Sequence, residues 1–444
     1  MANLTEQLSE VLPRGKYSVL NLQCVPKESK SIVHHHKNDP VQSCKVVHLI
    51  VLFSDDRPVL ALEVFVYLDI PKNQNQVLRT IYISKADTSG LVGGLKLNVG
   101  RVIQILLRWI LLYPIGKYYQ DLETPVSINH EANVTEKHKP FVSETDRALH
   151  ILIERARGNS VYGMPEVIPR DRFSPSINLL MDSPRNLTRL VLFTRSEPQY
   201  LFPNSSKNRN KHILSDSGLL KWWLKNVEET VKGGIFHHLL QKKVNILNAD
   251  KYEVIRYFPS RDSDWQVGDV YSNEVNTNDS AVYHIPLLPD DPKGRFLEHL
   301  VLENRIKRVK MKQFWTELSI RQEFRLGITV GLIGVEGVSK RGNDDDYRGL
   351  LILKKSQFNR IKELIIGVDY SDAVDYKHVI EELKQKAIEM GEFEGRATST
   401  TNDTTAANVQ TTNARITNAN TLPVHSLSAR KAHNLNTLVR KKKS

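Results

Sequence analysis

A chain of 444 residues with 40% hydrophobic content can bury a sizeable core, in one large domain or two or three average ones, which excludes a wholly disordered or fibrous protein. Its two cysteines, Cys24 and Cys44, exclude a disulfide framework and a cysteine-rich zinc site, and no stretch approaches the roughly 18 apolar residues of a membrane span. The net charge of +12 is unevenly placed: from Gly395 to Ser444 eight Lys or Arg face the single acid Asp403, a surplus of +7 that leaves only +5 for the preceding 394 residues and moves any nucleic-acid reading to the tail.

In chain order, the opening "MANLTEQLSEVLPRGKYSVL" lacks the basic start and apolar core of a signal peptide, so a reducing intracellular compartment is expected. His34 to His36 invite a metal reading, but neighbouring strand residues point to opposite faces and no Cys, Asp or Glu stands at ligand spacing, so no metal is expected. Residues 45–53, 58–70 and 79–87 read as successive strands rich in β-branched and aromatic residues, the first two joined by the turn signal "SDDRP". Apolar residues at helical spacing predict helices over 99–112, 144–158, 218–233, 295–307, 312–324 and 376–390. Buried strands are predicted at 187–196 and 280–287, and residues 120–143 read as a polar surface loop. The pattern is mixed α/β: a central mixed β-sheet surrounded by helices, in one domain over residues 1–392. Residues 393–444 are polar low complexity that cannot bury enough apolar surface to offset the entropy of ordering, and they end in the basic cluster "LVRKKKS".

Common signatures are missing. "GLVGG" and "GLIGVEG" lack the strand-to-helix spacing of a dinucleotide fingerprint, and there is no GxxxxGK[ST] loop, GxSxG elbow or HExxH helix. Instead, "PLLPDDPKGRF" holds the adjacent acids Asp290 and Asp291 between prolines, which leave the pair few conformations. Asp291 reads either as the N-cap of a helix begun by Pro292 or as a catalytic acid.

The segments "SKADT", "QYLFPNSSKN", "KHIL", "KWW" and "PDDPKGRF", extended by "DWQVGDVY" and "FWTELSIRQEF", resemble in order and spacing the fungal replication-linked histone H3 lysine acetyltransferases. The resemblance covers roughly residues 15–390. It implies acetyl-CoA as co-substrate, no metal, and an architecture similar to metazoan coactivator acetyltransferases. The implied substrate is newly made H3 carried with H4, acetylated at a globular-core lysine and at N-terminal tail lysines. The implied partners are histone chaperones of the nucleosome-assembly-protein and H3–H4 anti-silencing types, in the nucleus, serving replication-coupled nucleosome assembly. No membrane and no sequence-specific nucleic acid are expected. The competing class is a non-enzymatic histone or nucleic-acid binding module that uses the basic tail.

Acetyl transfer needs donors for CoA phosphates, a strand edge for the amide-bearing acyl arm, an apolar tunnel for the lysine stem and a way to remove the ammonium proton. By resemblance, Ser84, Ala86 and Asp87 lie beside the acyl arm at a strand end, in the manner of strand addition. Lys96, Gly100 and Arg101 stand where a helix begins, a setting that attracts phosphate, although an exposed helix charge is the plainer reading of Arg101. Phe193, Arg195, Tyr200, Lys211 and His212 combine aromatic walls with three donors and are implied to contact acetyl-CoA or line the site. Trp222 and Trp223 lie about 100° apart on a helix, so at most one sits centrally on the core face. By resemblance Tyr200, Trp222 and Trp223 line the lysine tunnel, with Trp223 the one expected to touch substrate or cofactor. A lysine amine has a pKa near 10.4 and must lose a proton before attack. By resemblance Asp290, Asp291 and Asp87 are needed for activity and Lys293 is the site of self-acetylation; Asp291 is expected to be the acid–base residue.

Overall fold

The computed structural model describes residues 3–35, 41–71, 76–92, 96–120, 183, 185–260, 262–272, 276–321, 329–371, 373–386 and 388–397. His36, most of the expected polar loop at 120–143, the helix expected at 144–158 and the basic tail beyond 397 lie outside them.

Residues 1–399 form one compact unit around an eleven-stranded mixed sheet. Its strands are β1 (Gly15–Cys24), β2 (Lys27–Ser29), β3 (Val41–Ser54), β4 (Arg57–Pro71), β5 (Leu78–Thr88), β6 (Leu187–Thr194), β7 (Phe236–Ile246), β8 (Trp265–Val267), β9 (Gly331–Ser339), β10 (Leu351–Leu353) and β11 (Gly391–Gly395). The order is β10-β1-β3-β4-β5-β6-β9-β7-β8, with β11 on β1 and β2 on β3. The described helices are α1 (Leu4–Val11), α2 (Val99–Leu112), α3 (Ile115–Gln120), α4 (Asp216–Lys232), α5 (Lys251–Ile255), α6 (Pro292–Leu302), α7 (Met311–Ser319), α8 (Lys355–Ile366) and α9 (Ala373–Gln385).

The long hairpin of β3 and β4 follows from β-branched runs closed by two residues, Asp55 and Asp56, both at positive φ (47° and 61°). That pair of conformations matches the right-handed twist of the strands, and Asp tolerates it. Period-two alternation then sorts the side chains of β4. Leu60, Leu62, Val64, Val66 and Leu68 face a core shared with α1, α2 and α4, whereas Ala61 and Tyr67 face the opposite side, under α8 and α9 or under α6 and α7. Each fully buried Leu, Ile or Val contributes about 1.5–3 kcal/mol, so this two-sided burial fixes the register of the sheet.

β5 and β6 are parallel, which demands a crossover, and α2 begins it. α2 starts at its N-cap Asn98, whose side chain accepts from the Arg101 N–H at 3.1 Å. At its far end Arg79, fully buried on β5, donates to the carbonyls of Leu111 at 2.5 Å and Tyr113 at 2.7 Å. A guanidinium thus caps the negative end of the helix and ties it to the sheet.

The mixed α/β reading is borne out, and α2 coincides with the helix expected at 99–112. The strand expected at 280–287 is instead a 3-10 turn at Ala281–Tyr283. Pro286 withholds a ladder donor there, and the buried residues Ala281, Val282 and Ile285 follow turn rather than strand spacing. β1, β7 and β9 were not expected. β11 pairs with β1 from Gly15↔Gly395 to Val19↔Gly391, so ordered structure runs past residue 392.

Candidate active site

The site lies where two parallel strands part. β5 and β6 pair from Leu78↔Leu187 to Tyr82↔Val191. β6 then stays with β9 as far as Thr194↔Gly331, while β5 follows β4 to Leu60↔Thr88. Among the described residues, the β6-facing edge of residues 83–88 has no strand partner. A bulge opposite Glu63 and Val64 leaves Ser84 unopposed and re-aims the strand at this point.

Two cavities meet in the fork. The narrower, about 220 Å³, is lined by Ser84, Ala86, Phe193, Arg195, Tyr200, Trp223 and Asp290 among others. The wider, about 690 Å³, is lined by Ala86, Asp87, Lys96, Tyr200, Arg209, Lys211, His212, Trp222 and Trp223 among others. Ala86, Tyr200 and Trp223 border both. The two tryptophan rings stand edge to face, centroids 5.0 Å apart. Trp223 is 6% exposed and reaches both cavities, whereas Trp222 is half-buried and borders only the wider one.

Asp87 organises the loop after β6. One carboxylate oxygen accepts from the N–H groups of Tyr200, Leu201 and Phe202 at 2.8, 2.9 and 3.1 Å. The other accepts from Thr88 N–H at 2.8 Å and from the Lys211 ammonium at 2.8 Å, with both side chains buried. This carboxylate has its donors supplied and fixes the backbone of Tyr200 at the border of both cavities. Lys211, which also borders the wider cavity, donates to the Ser205 hydroxyl at 2.6 Å as well. Gly90 lets this loop approach: its φ is +76°, and a Cβ there would lie 2.8 Å from the Lys211 nitrogen. The Tyr200 hydroxyl donates to the Arg195 carbonyl and accepts from Glu197 N–H at 3.0 Å. Burial pushes its pKa up to about 12, so it stays a protonated donor.

The acidic pair divides its labour. Asp290 sits at a left-handed φ of +56°, costly for a non-glycine residue, at the mouth of the narrow cavity. Tyr82 holds it there by donating to the Pro289 carbonyl at 2.8 Å, while Pro292 opens α6 on the other side. The Asp290 side chain is 59% exposed, 3.9 Å from Lys85 and 3.8 Å from Arg295. Asp291 is only 2% exposed, caps α6 by accepting from Lys293 N–H at 2.9 Å, and borders neither cavity. The expectation that Asp291 meets the substrate is therefore corrected: the carboxylate at the cavity is Asp290. Behind it the Lys293 ammonium lies 3.3 Å from both Asp291 and Asp269 and 5.7 Å from the Tyr271 ring. Burial pushes the Asp291 carboxyl up from its usual range, and Lys293 opposes this. For Lys293 burial works against the charge, but Asp269 and Asp291 outweigh it and hold the ammonium above its ordinary pKa.

Two more expectations are corrected. A Cβ on Gly100 would meet the Asn226 side chain of α4 at 2.7 Å, so this glycine serves the packing of α2 on α4. The exposed Arg101 borders neither cavity, and its N–H is committed to the Asn98 cap. His212 and Lys96 are exposed on the rim of the wider cavity. Tyr82, Asp269 and Tyr271 were not singled out: "DWQVGDVY" was noted as a segment, but nothing local to it says that Asp269 meets a lysine 24 residues on.

A family profile and three known proteins are similar to this chain. A family profile described as Histone acetyltransferase KAT11-type domain matches residues 4–386. The protein named Histone acetyltransferase RTT109 of Candida albicans is 32% identical over 383 residues, 84% of this chain and 97% of that protein. Histone acetyltransferase rtt109 of Schizosaccharomyces pombe is 35% identical over 158 residues, 33% of this chain and 40% of that one. The crystal structure of Rtt109 from Aspergillus fumigatus shares the fold, with a TM-score of 0.60 at 18% identity over 90% of this chain and 100% of that one. Because the family match spans every element that builds the fork, the chain belongs to the KAT11-type histone acetyltransferases and is a histone lysine acetyltransferase.

Proposed function

We propose that the chain transfers acetyl from acetyl-CoA to lysines of newly made histone H3, in the globular core and the N-terminal tail. H4 accompanies the substrate, presented by chaperones of the nucleosome-assembly-protein and anti-silencing types in the nucleus, in support of replication-coupled nucleosome assembly. The observation that carries the transfer is the fork: an unpaired strand edge at Ser84 and Ala86 between a wide cavity rimmed by cations and a narrow one with a carboxylate at its mouth. Bound acetyl-CoA supplies an acyl thioester. The β5 edge offers main-chain groups to an amide-bearing arm, and Lys96 and His212 stand where phosphates would lie. Trp223 and Phe193 pack on the aliphatic stem of an acceptor lysine, and their ring faces attract its ammonium.

Asp290 draws that ammonium to the cavity mouth and takes its proton, on its carboxylate or onward to solvent, as the amine forms its bond to the carbonyl carbon and the thiolate leaves. Orientation by Trp223 and Tyr200 contributes alongside proton removal. Self-acetylation of Lys293 requires its ammonium to leave Asp269 and Asp291 and lose a proton. The product is a neutral side chain beside two carboxylates, which alters the field at the Asp290 loop. The basic tail beyond residue 397 is assigned to chaperone or import contacts on its composition.

The test is peptide mass spectrometry after incubation with labelled acetyl-CoA and H3–H4, with and without chaperone. Asp290→Asn is expected to lower H3 labelling about 100-fold or more, with the fold intact. Unchanged labelling in that variant overturns the role of Asp290, and no label under any chaperone condition overturns acetyl transfer.

A further inference from the structure

A bulge decides which face of β5 carries its lysine. Ile81 and Ile83 pack into the core shared with α2 and α4, whereas Tyr82 faces the other side of the sheet, toward α6 and α7. In a strand of unbroken alternation Lys85 would follow Ile83 into that apolar core. The extra residue Ser84, unopposed between the pairs Val64↔Ile83 and Glu63↔Lys85, shifts the alternation by one. Ala86 then packs on the core in place of Lys85. Lys85 comes out on the face of Tyr82, whose hydroxyl holds the Pro289 carbonyl next to Asp290.

The result is a lysine inside the proposed acceptor site. Lys85 lines the narrow cavity with Ser84, Ala86, Phe193, Trp223 and Asp290, and among the described residues it is the one lysine that does so. Its ammonium lies 3.9 Å from the Asp290 carboxylate, and its side chain is 36% exposed. Directly opposite on β4, Glu63 is taken up by Lys362, so the ion-pair partner of Lys85 is Asp290. Arg295 lies 3.8 Å from the other Asp290 oxygen. Asp290 is thus bracketed by two cations where an acceptor ammonium would sit. Lys293 is placed otherwise: it borders neither cavity and is held by Asp269 and Asp291.

We infer that Lys85 is an intramolecular acetyl acceptor, a modification site distinct from Lys293, and that its acetylation clears a cation from the mouth of the narrow cavity. The inference rests on the acetyl-transfer reading and gives that site a regulation of its own. Ala86, the next residue, borders both cavities, so Lys85 leaves the strand where the two cavities join. Its ammonium gives up two protons, the first through Asp290 and the second from the tetrahedral adduct, as the amine nitrogen bonds to the carbonyl carbon of acetyl-CoA and the C–S bond breaks. The leaving thiolate takes one of these protons and solvent takes the other. The product is a neutral amide. It leaves Asp290 to Arg295 and to an incoming acceptor, and it removes one of the two charges that repel that acceptor's ammonium.

The test incubates the full chain with labelled acetyl-CoA, without and with H3–H4 and chaperone, and follows the label by peptide mass spectrometry. Acetylation blocks trypsin after Lys85 and joins residues 80–85 and 86–96 in one peptide. Lys232, 60% exposed and bordering neither cavity, reports uncatalysed labelling. Lys85 is expected to be labelled at least about tenfold faster than Lys232, at a first-order rate independent of chain concentration. Asp290→Asn should slow Lys85 to the rate of Lys232, with the fold intact because asparagine tolerates the left-handed φ. Without acetyl-CoA, trace acetic anhydride should modify Lys85 about two- to fivefold faster in Asp290→Asn than in the parent chain, because the ammonium has lost its carboxylate. In steady state, Lys85→Gln should show a KM for H3 about two- to fivefold below that of Lys85→Arg, which keeps the charge and takes no acetyl. Labelling of Lys85 at the rate of Lys232, or at a rate that rises with chain concentration, overturns the inference. Anhydride reactivity unchanged by Asp290→Asn overturns the pairing with Asp290, and equal KM in the two Lys85 variants overturns the effect on the acceptor. Label on H3 with none on Lys85 removes this site and keeps the acetyl-transfer reading, whereas label on Lys85 with none on H3 does the reverse.

Discussion

Replacing Lys293 with glutamine tests the centre of the site, because it reproduces the charge change of acetylation without the chemistry. The ammonium lies 3.3 Å from Asp269 and 3.3 Å from Asp291, and the three side chains are 5%, 5% and 2% exposed. Removing one partner of so buried a pair costs about 3–5 kcal/mol, since the remaining carboxylates keep their desolvation penalty and lose its compensation. The loss depends on pH. Burial already pushes the Asp291 carboxyl up, with Lys293 opposing. Without the ammonium the folded-state pKa rises further above the unfolded value of about 3.9. A raised folded pKa stabilises the protonated form, so stability is present below the unfolded value and is lost as pH rises through the folded one. The deficit of Lys293→Gln is therefore small in acid and full near neutrality. Asp269→Asn added to Lys293→Gln removes one stranded charge and should recover part of the loss. Urea unfolding of the full chain, followed by tryptophan fluorescence from acidic to neutral pH, measures Lys293→Gln, Asp269→Asn and the double variant. A deficit below about 1 kcal/mol, a deficit independent of pH, or strict additivity in the double variant would refute the reasoning.

Asp87→Asn leaves the Lys211 ammonium buried without its partner and should cost about 3–5 kcal/mol; if Asp87 only positions Tyr200, KM for acetyl-CoA rises more than kcat falls, in steady-state kinetics at a temperature where the variant is folded. Gly100→Ala drives a methyl into Asn226 at 2.7 Å and should cost about 1–3 kcal/mol by thermal unfolding, with activity per folded molecule retained; a rise in KM for acetyl-CoA at full stability would return Gly100 to phosphate binding. Arg79→Met orphans the buried carbonyls of Leu111 and Tyr113 and should cost about 2–4 kcal/mol. Hydrogen exchange should then quicken in the last turn of α2 before the rest of the helix.

Much of this architecture is local and so was readable. The β3–β4 hairpin follows from β-branched alternation and a two-residue turn, and α2 from an apolar face begun by an Asn cap. The N-cap reading of Asp291 with Pro292 at the start of the helix also held, because capping is decided within three residues. β9 was not readable: "GLIGVEGVS" carries three glycines, which weaken any strand signal, and it is a strand because β6 and β7 pair on both sides of it.

The sequence by itself determined the mixed α/β class, the family and the handful of segments that build the site, since these depend on residue types at fixed spacing along the chain. Only the tertiary structure decided which acid faces the cavity, because Asp290 and Asp291 are alike in sequence. They differ in a left-handed turn that sends one carboxylate outward and buries the other. It alone also made Asp87 and Lys211, both at the wider cavity, each other's partners, 124 residues apart. A buried charge must be paired by whatever the fold brings within reach, and that partner has no signature in the chain around it.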